Sequence, residues 1–369
     1  MTFYVLLWLL LFYLSFSGIF KGKKSSYIWA LRIILVIAFF VGFRYKVGSD
    51  WIGYVNYYYS GVAIDRDSGQ MEPIFTIIRV LCYKFGLPHT IFFYIISAFS
   101  MGVMIYAGRK FGVRNYYIFL LVFVSLFLCS LQFNLVRNGA MASCAWVALS
   151  YKANNNLKYS LLWVIIACGF HLTGLIFIPF IFLVDKRLSN VSLLVLFVVA
   201  VVCFVLDLGG WILSQFPILA YIDRLNVYMK NDDLESYGLS IGMIFNIALL
   251  FYLFLKYRYS YNNDVYFRVC FNAFVFSLFI SLTFNNLGIV VSRLGQSLNM
   301  ATMFLWPFVF SNTNKKNIRN IIGIFFIAYL LMYYYKTWGS LNDMGENPNY
   351  PYQFELFQDR NVINQTKYF

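Results

Sequence analysis

Long apolar runs recur along the whole chain, and they constrain its fold more than any other feature. At 1.5 Å per residue, about 20 helical residues cross the roughly 30 Å hydrocarbon core of a bilayer. The long runs lie near 2–20, 27–43, 88–108, 115–132, 159–184, 190–206, 240–256, 265–284, 295–311 and 320–338. Two shorter apolar pieces, 72–86 and 139–151, cross, tilt or re-enter the membrane. The sequence therefore predicts an all-α polytopic membrane protein with roughly 10–12 transmembrane helices.

The composition agrees with a membrane protein and argues against several soluble classes. Hydrophobic residues make up 61% of the 369 residues and charged residues 12%, and this charged share is about half that of an average soluble protein. The six cysteines lie in apolar stretches without a C-x-x-C pair, which argues against a disulfide framework or a metal site. The sequence lacks the phosphate-loop, dinucleotide-binding, zinc-protease and serine-hydrolase motifs.

Lysine and arginine clusters predict the orientation of the helices, because cytoplasmic turns carry the excess of these residues. The cytoplasmic candidates are KGKK at 21–24, KYR at 256–258 and the basic segment 315–319. We therefore expect one integral membrane domain over 1–338, with outer loops 44–71 and 207–239 on the opposite side, followed by a polar tail over 339–369. The topology between 72 and 207 stays open.

The formal net charge of +14 does not indicate a nucleic-acid partner. The acidic and basic residues of 44–71 balance, and 207–239 has more acidic than basic residues. The excess positive charge therefore belongs to the cytoplasmic turns and the helix ends, as the positive-inside rule requires.

Three basic residues fall in or near apolar runs, where an ionisable group is costly and is a functional candidate by default. Arg137 has Asn138 beside it, Arg293 has Gln296 three residues later, and His171 lies within a long apolar run. Each also has a structural interpretation: the arginines reach to the lipid headgroups, and the histidine is neutral and bonded to a backbone carbonyl. The fifteen acidic residues lie in loops or at the ends of the runs, which argues against an ion-coupled transporter.

An aromatic and charged segment, FRYKVGSDWIGYVNYYYSG at 43–61, follows the second apolar run. It combines Arg44, Gly48, Asp50, Trp51 and Tyr54 with further tyrosines. An interfacial aromatic belt is one explanation. A carbohydrate site is the other, because aromatic rings hold the apolar faces of sugars and polar groups bind their hydroxyls.

Five motifs in order make the chain resemble the EpsG-like and Wzy-type polymerases of bacterial exopolysaccharide and O-antigen assembly. They are RYKVGSDWIGYVNYYYS at 44–60, MEPIFTIIRVLCYKFG at 71–86, LVRNGAMAS at 135–143, FHLTGLIFIP at 170–179 and SRLGQSLNMATMFLWP at 292–307. One departure concerns Asn138, since family members often carry glutamine there.

The resemblance implies a multispanning glycosyltransferase of the bacterial inner membrane, with the GT-C-like fold of membrane-embedded glycosyltransferases. Such enzymes transfer a growing glycan from undecaprenyl diphosphate to another lipid-linked repeat unit at the periplasmic face. The implied partners are the undecaprenyl-diphosphate-linked oligosaccharide, membrane lipids and a chain-length regulator protein. An O-antigen ligase and a lipid-linked oligosaccharide flippase, which is not an enzyme, remain the alternatives.

The candidate residues suit this chemistry. Arginines can stabilise the charge that develops on a diphosphate leaving group, and a histidine or aspartate can accept the proton of the attacking hydroxyl. The catalytic candidates are His171, Asp50, Arg137 and Arg293. The substrate-binding candidates are Arg44, Gly48, Trp51, Tyr54, Glu72, Asn138, Gln296 and Arg224. We expect neither a cofactor nor a metal, because the acidic motifs DRD at 65–67 and DDLE at 232–235 belong to polar loops.

Overall fold

The computed structural model describes residues 2–61, 71–215, 240–339, 347–349 and 351–358. The chain forms two compact units, Met1–Ile181 with Met303–Phe369, and Phe182–Thr302. The expected single membrane domain over 1–338 stays a prediction. Arg224 and the two acidic motifs lie outside the described residues.

The first unit is built from helices joined by short connections. It begins with α1 (Thr2–Lys21), α2 (Tyr27–Gly42), α3 (Trp51–Ser60), α4 (Pro73–Lys84), α5 (His89–Lys110), α6 (Tyr116–Leu126), α7 (Val136–Ala153) and α8 (Leu157–Phe170). A π-helical turn, Cys129–Asn134, precedes α7, and a 3-10 helix, Leu172–Ile176, follows α8. The boundary between the two units falls within α9 (Phe177–Leu183).

The second unit is also helical in its described part. It contains α10 (Asn190–Val205), α11 (Gly209–Ser214), α12 (Ile241–Lys256), α13 (Arg258–Asn263), α14 (Val265–Thr283), α15 (Gly288–Val290), a π-helical turn (Val291–Gly295) and α16 (Gln296–Asn299). Then α17 (Thr302–Asn312) and α18 (Lys316–Gly339) return the chain to the first unit.

The helices confirm the prediction of an all-α polytopic membrane protein. By length and composition, α1, α5, α14 and α18 can each cross a membrane. Shorter apolar helices accompany them, namely α2, α6, α8, Leu172–Leu183, α10 and α12. The GT-C-like architecture and the number of crossings stay predictions.

Three of the predicted continuous runs are interrupted in the structure. The run 115–132 is interrupted between the end of α6 at Leu126 and the π-helical turn that begins at Cys129. The run 159–184 breaks at His171, whose extended backbone ends α8 and begins the 3-10 helix. The run 295–311 begins inside the π-helical turn and is interrupted again between α16 and α17. Apolar periodicity does not reveal the break at His171, because the residues on both sides of it are mostly hydrophobic. The expected outer loop 44–71 likewise contains a helix, α3.

Helix α7 lies at the centre of the first unit and is buried along most of its length. Its sequence, VRNGAMASCAWVALSYKA, is rich in small residues that let neighbouring helices approach closely. It packs against α5 and α8. A Cβ atom at Gly139 would collide with the Leu131 carbonyl, so the π-helical turn can fold back only onto a glycine. This packing fixes the first turn of α7, which carries Arg137.

Part of the polar tail packs back onto the first unit. We refer to residues 347–349 and 351–358 as the C-terminal strap. The Gly48 amide donates to the Pro348 carbonyl (2.8 Å), and the Tyr45 amide donates to the Gln353 carbonyl (2.9 Å). An isolated bridge pairs Arg44 with Phe354. The strap therefore holds the segment that follows α2.

Candidate functional site

A buried ion pair joins two of the predicted site residues. The Arg137 Nη1 atom donates to Glu72 Oε2 at 2.5 Å, and the two residues are each 7% exposed. Tyr54 forms a side-chain hydrogen bond with the same guanidinium. Among the described residues, the buried Arg137 Nε has no hydrogen-bond partner. The structure thus brings together three predicted residues that are distant in sequence.

Several helices begin around this ion pair. Glu72 immediately precedes α4, whose first residue is Pro73, and Arg137 lies in the first turn of α7. The backbone amide of Leu172, the first residue of the 3-10 helix, donates to Glu72 Oε1 at 3.3 Å. Helix N-termini present unpaired N–H groups and a positive partial charge. Together with Arg137, they make this region suited to an anion.

The break at His171 is held by a small polar network. The backbone amide of Thr173 donates to His171 Nδ1 (3.2 Å), and the Thr173 hydroxyl lies 2.9 Å from the same nitrogen. The Thr173 hydroxyl also bonds to the Asn138 side chain at 3.1 Å. Because Nδ1 accepts a backbone N–H, it holds the lone pair of the neutral ring, and this network assigns the proton to Nε2. The ring is therefore oriented as a hydrogen-bond donor at Nε2.

The loop before α3 approaches the π-helical turn closely. Gly48 has φ +100°, and a Cβ atom there would lie 2.6 Å from the Phe133 carbonyl oxygen. The Ser49 amide donates to Asn134 Oδ1 at 2.9 Å. Asp50 is exposed, and its Oδ1 accepts a hydrogen bond from the Ser49 hydroxyl at 3.1 Å. Glycine is thus required at 48 by both its backbone angle and its surroundings.

Arg44 is completely buried, and its guanidinium binds backbone carbonyls. Nε donates to Val47 (2.9 Å), Nη1 to Val41 (2.6 Å) and Nη2 to Phe133 (3.1 Å). Burial lowers the pKa of Arg44 to about 10, so the side chain stays charged near neutral pH. In this structure it connects three parts of the backbone through their carbonyl groups.

Trp51 is also internal, although we predicted it to hold sugar. Its indole Nε1 donates to the Arg44 carbonyl at 3.1 Å, and its ring packs edge-on against Tyr45 and His89. The ring is buried and stabilises the start of α3. The predicted substrate contacts of Arg44 and Trp51 remain predictions, and both would need a rearrangement of the loop.

The other predicted residues belong to the second unit. Arg293 lies in the π-helical turn Val291–Gly295, and Gln296 begins α16; both are half-buried. The Ser297 hydroxyl donates to the Arg293 carbonyl at 2.5 Å. The predicted cooperation of Arg293 with Arg137 stays a prediction. Among the residues that the structure describes, there is no cluster of three metal-ligating side chains, and metal independence also remains a prediction.

A sequence model of the EpsG family matches residues 27–354. The chain belongs to the EpsG family. The match spans the five motifs and confirms the resemblance deduced from them. No curated protein and no solved structure matches the chain. EpsG membership supports a polysaccharide-polymerase type of role in general.

Two contributors to this EpsG-family structure were missed by sequence reasoning. Thr173 binds His171 and lies two residues after it inside a predicted motif, a signal that could have been used. Glu355 binds His89 at 2.9 Å from the strap. Nothing in the local sequence of the tail indicates that pair, because its partners are 266 residues apart.

Proposed function

We propose that the chain is a polysaccharide polymerase of the bacterial inner membrane. It transfers a glycan from undecaprenyl diphosphate to a second lipid-linked repeat unit at the periplasmic face. EpsG-family membership and the apolar helices support this proposal at the level of a membrane-bound polymerase. The substrate, the direction of transfer and the membrane are parts of the proposal.

The main observation behind the proposal is the position of Arg137. It lies in a buried polar cluster at the start of α7, next to the starts of α4 and the 3-10 helix. When the glycan leaves undecaprenyl diphosphate, negative charge grows on the phosphate oxygen. A fixed guanidinium and helix N-termini stabilise that charge without reorganisation, and in a poorly solvated site the effect is larger than in water.

The remaining residues of the cluster have supporting roles in this proposal. Tyr54 holds the guanidinium of Arg137 in place, and His171, oriented through Thr173 and Asn138, offers Nε2–H to substrate oxygens. The exposed Ser49–Asp50 turn lies on the loop that contacts Asn134, and we assign it to the acceptor glycan. Arg293 and Gln296 of the second unit stay predicted participants.

The central experiment is Arg137→Lys in a strain that depends on this chain for its polysaccharide. Lysine keeps the charge but loses the planar fork that can donate two parallel hydrogen bonds to a phosphate, so we expect chain elongation to fall about 100-fold. Glycan length is read on gels at matched protein expression, with Lys152→Arg, at the far end of α7, as a charge-preserving control. Normal chain length in the Arg137→Lys strain would contradict the proposal.

Deletion of the chain separates the alternative functions by what accumulates. Loss of a polymerase leaves single repeat units attached to the final acceptor. Loss of a ligase leaves long chains on undecaprenyl diphosphate, and loss of a flippase leaves repeat units on the cytoplasmic side. Either of the last two patterns would overturn the polymerase assignment.

A further inference from the structure

Three side chains of the predicted site are candidates to accept the proton of the attacking sugar hydroxyl. Asp50 is exposed and accepts a hydrogen bond from Ser49. His171 uses its neutral lone pair at Nδ1 to accept the Thr173 amide, so its outer nitrogen carries a proton already. Glu72 is a buried carboxylate in direct contact with the guanidinium. Of the three, only Glu72 is buried in contact with Arg137 and also has oxygen atoms that can accept a proton.

Glu72 also neutralises Arg137 in the structure. A guanidinium already paired with a carboxylate at 2.5 Å attracts a further anion weakly, because the charge of the pair is near zero. A bound diphosphate carries more negative charge than one carboxylate and offers several oxygens to the same fork. The diphosphate can therefore take the place of Glu72 on Arg137.

We propose that Glu72 is the proton acceptor of the transfer reaction and that the diphosphate activates it by displacing it from Arg137. This inference rests on the proposed polymerase function and assigns a catalytic role to a residue predicted only to bind substrate. Before the substrate binds, Arg137 holds the carboxylate and lowers its basicity. Once the guanidinium turns to the diphosphate, the carboxylate is a stronger base and is also close to the reacting groups.

The step balances without a metal or a redox partner. The acceptor hydroxyl gives its proton to a Glu72 carboxylate oxygen, and its oxygen forms the new bond to the anomeric carbon of the donor glycan. The bond between that carbon and the phosphate oxygen breaks, and its electron pair stays on undecaprenyl diphosphate, which Arg137 stabilises. Solvent then removes the proton from Glu72.

The test uses the full-length protein in nanodiscs, with lipid-linked repeat units for activity and undecaprenyl diphosphate as the binding probe. Glu72→Gln keeps the size and hydrogen-bonding oxygen of the side chain but cannot accept the proton. We expect polymerisation to fall at least about 100-fold, as for other lost general bases. We also expect undecaprenyl diphosphate to bind several-fold more tightly, since the competing carboxylate is gone.

The pH profile and two further variants exclude a merely structural role. The wild-type rate should fall toward acidic pH, and the residual rate of Glu72→Gln should lose that dependence. Glu72→Asp retains a carboxylate and should recover part of the rate. Glu355→Gln removes another buried carboxylate of the same unit, and its polymerisation rate should stay within about twofold of wild type, since the amide oxygen can still accept the hydrogen bond from His89 Nε2.

Two outcomes would overturn the inference while leaving the polymerase function intact. One is a Glu72→Gln enzyme that polymerises at the wild-type rate. The other is weaker binding of undecaprenyl diphosphate together with slower turnover, which indicates that Glu72 only positions Arg137. Wild-type protein that makes no polymer from any lipid-linked repeat unit would instead refute the proposed function itself.

Discussion

Arg44 and Arg137 are both buried arginines of the first unit, yet their surroundings differ in kind. Arg44 is 0% exposed and binds three backbone carbonyls. Arg137 binds side chains, and its buried Nε has no hydrogen-bond partner in the part of the chain that the structure describes. A guanidinium committed to carbonyls stabilises the backbone, whereas one paired with an exchangeable carboxylate can bind a substrate anion. Burial of a charged side chain therefore does not by itself identify a functional site. The groups that accept its hydrogen bonds are more informative.

The strongest test of this contrast removes the charge of Arg137. Arg137→Met leaves Glu72 buried without its partner, so we expect a loss of about 3–5 kcal/mol in unfolding free energy together with loss of activity. The double variant Arg137→Met/Glu72→Gln removes both charges and should regain most of the stability while remaining inactive. Thermal unfolding in detergent and glycan length measure the two effects. Activity in the double variant would show that the ion pair serves only the fold.

Arg44→Lys should lower stability but not the activity per folded molecule, if Arg44 serves only the fold. Lysine cannot reach the carbonyls of Val41, Val47 and Phe133 together, and each buried carbonyl left unsatisfied costs about 1–3 kcal/mol. We expect a lower Tm and less folded protein, with nearly normal activity per folded molecule. Activity normalised to the folded fraction distinguishes this result from a catalytic defect. A full loss of specific activity at an unchanged Tm would place Arg44 in the site.

The sequence predicted the helices well because runs of apolar residues depend only on local composition. It also selected Arg137 and His171, since polar residues in apolar surroundings are rare, and Asn138 as the neighbour of Arg137. Glu72 was selected only through the family resemblance of the motif at 71–86. It could not predict that Arg44 and Trp51 are internal, because the segment 43–61 has the same residues whether they face sugar or protein. That outcome depends on the strap, which reaches this segment from more than 300 residues away.

Variants of His171 test whether its ring acts as a hydrogen-bond donor in the proposed site. In His171→Gln the amide nitrogen can occupy the position of Nε2 and donate, whereas His171→Asn retains only an acceptor near Nδ1 for the Thr173 amide. If the ring acts as a donor, we expect the glutamine variant to retain at least about tenfold more activity than the asparagine variant. Equal and complete loss in both, with unchanged Tm values, would favour a proton-accepting histidine.

The smallest effect is expected at Glu355. This residue belongs to the strap, whose Phe354 pairs with Arg44. Its Oε2 lies 2.9 Å from His89 Nε2, and the Tyr59 hydroxyl lies 3.1 Å from His89 Nδ1. Burial and the nearby Glu355 raise the pKa of Tyr59, so its hydroxyl stays protonated and can donate to the ring. His89 can then donate Nε2–H to the strap. An amide oxygen can still accept that bond, although a charged carboxylate accepts it more strongly.

Glu355→Gln should therefore lower the unfolding free energy by about 0.5–1.5 kcal/mol, the difference between a hydrogen bond to a charged acceptor and one to a neutral acceptor, and change polymerisation by less than about twofold. Glu355→Ala, which cannot accept the bond, leaves the buried His89 nitrogen unsatisfied and should lower Tm further. Thermal unfolding and glycan length at matched expression measure both variants. If Glu355→Gln abolished polymerisation at an unchanged Tm, the strap would belong to the reacting site, and the contrast between a structural Arg44 region and a chemical Arg137 region would fail.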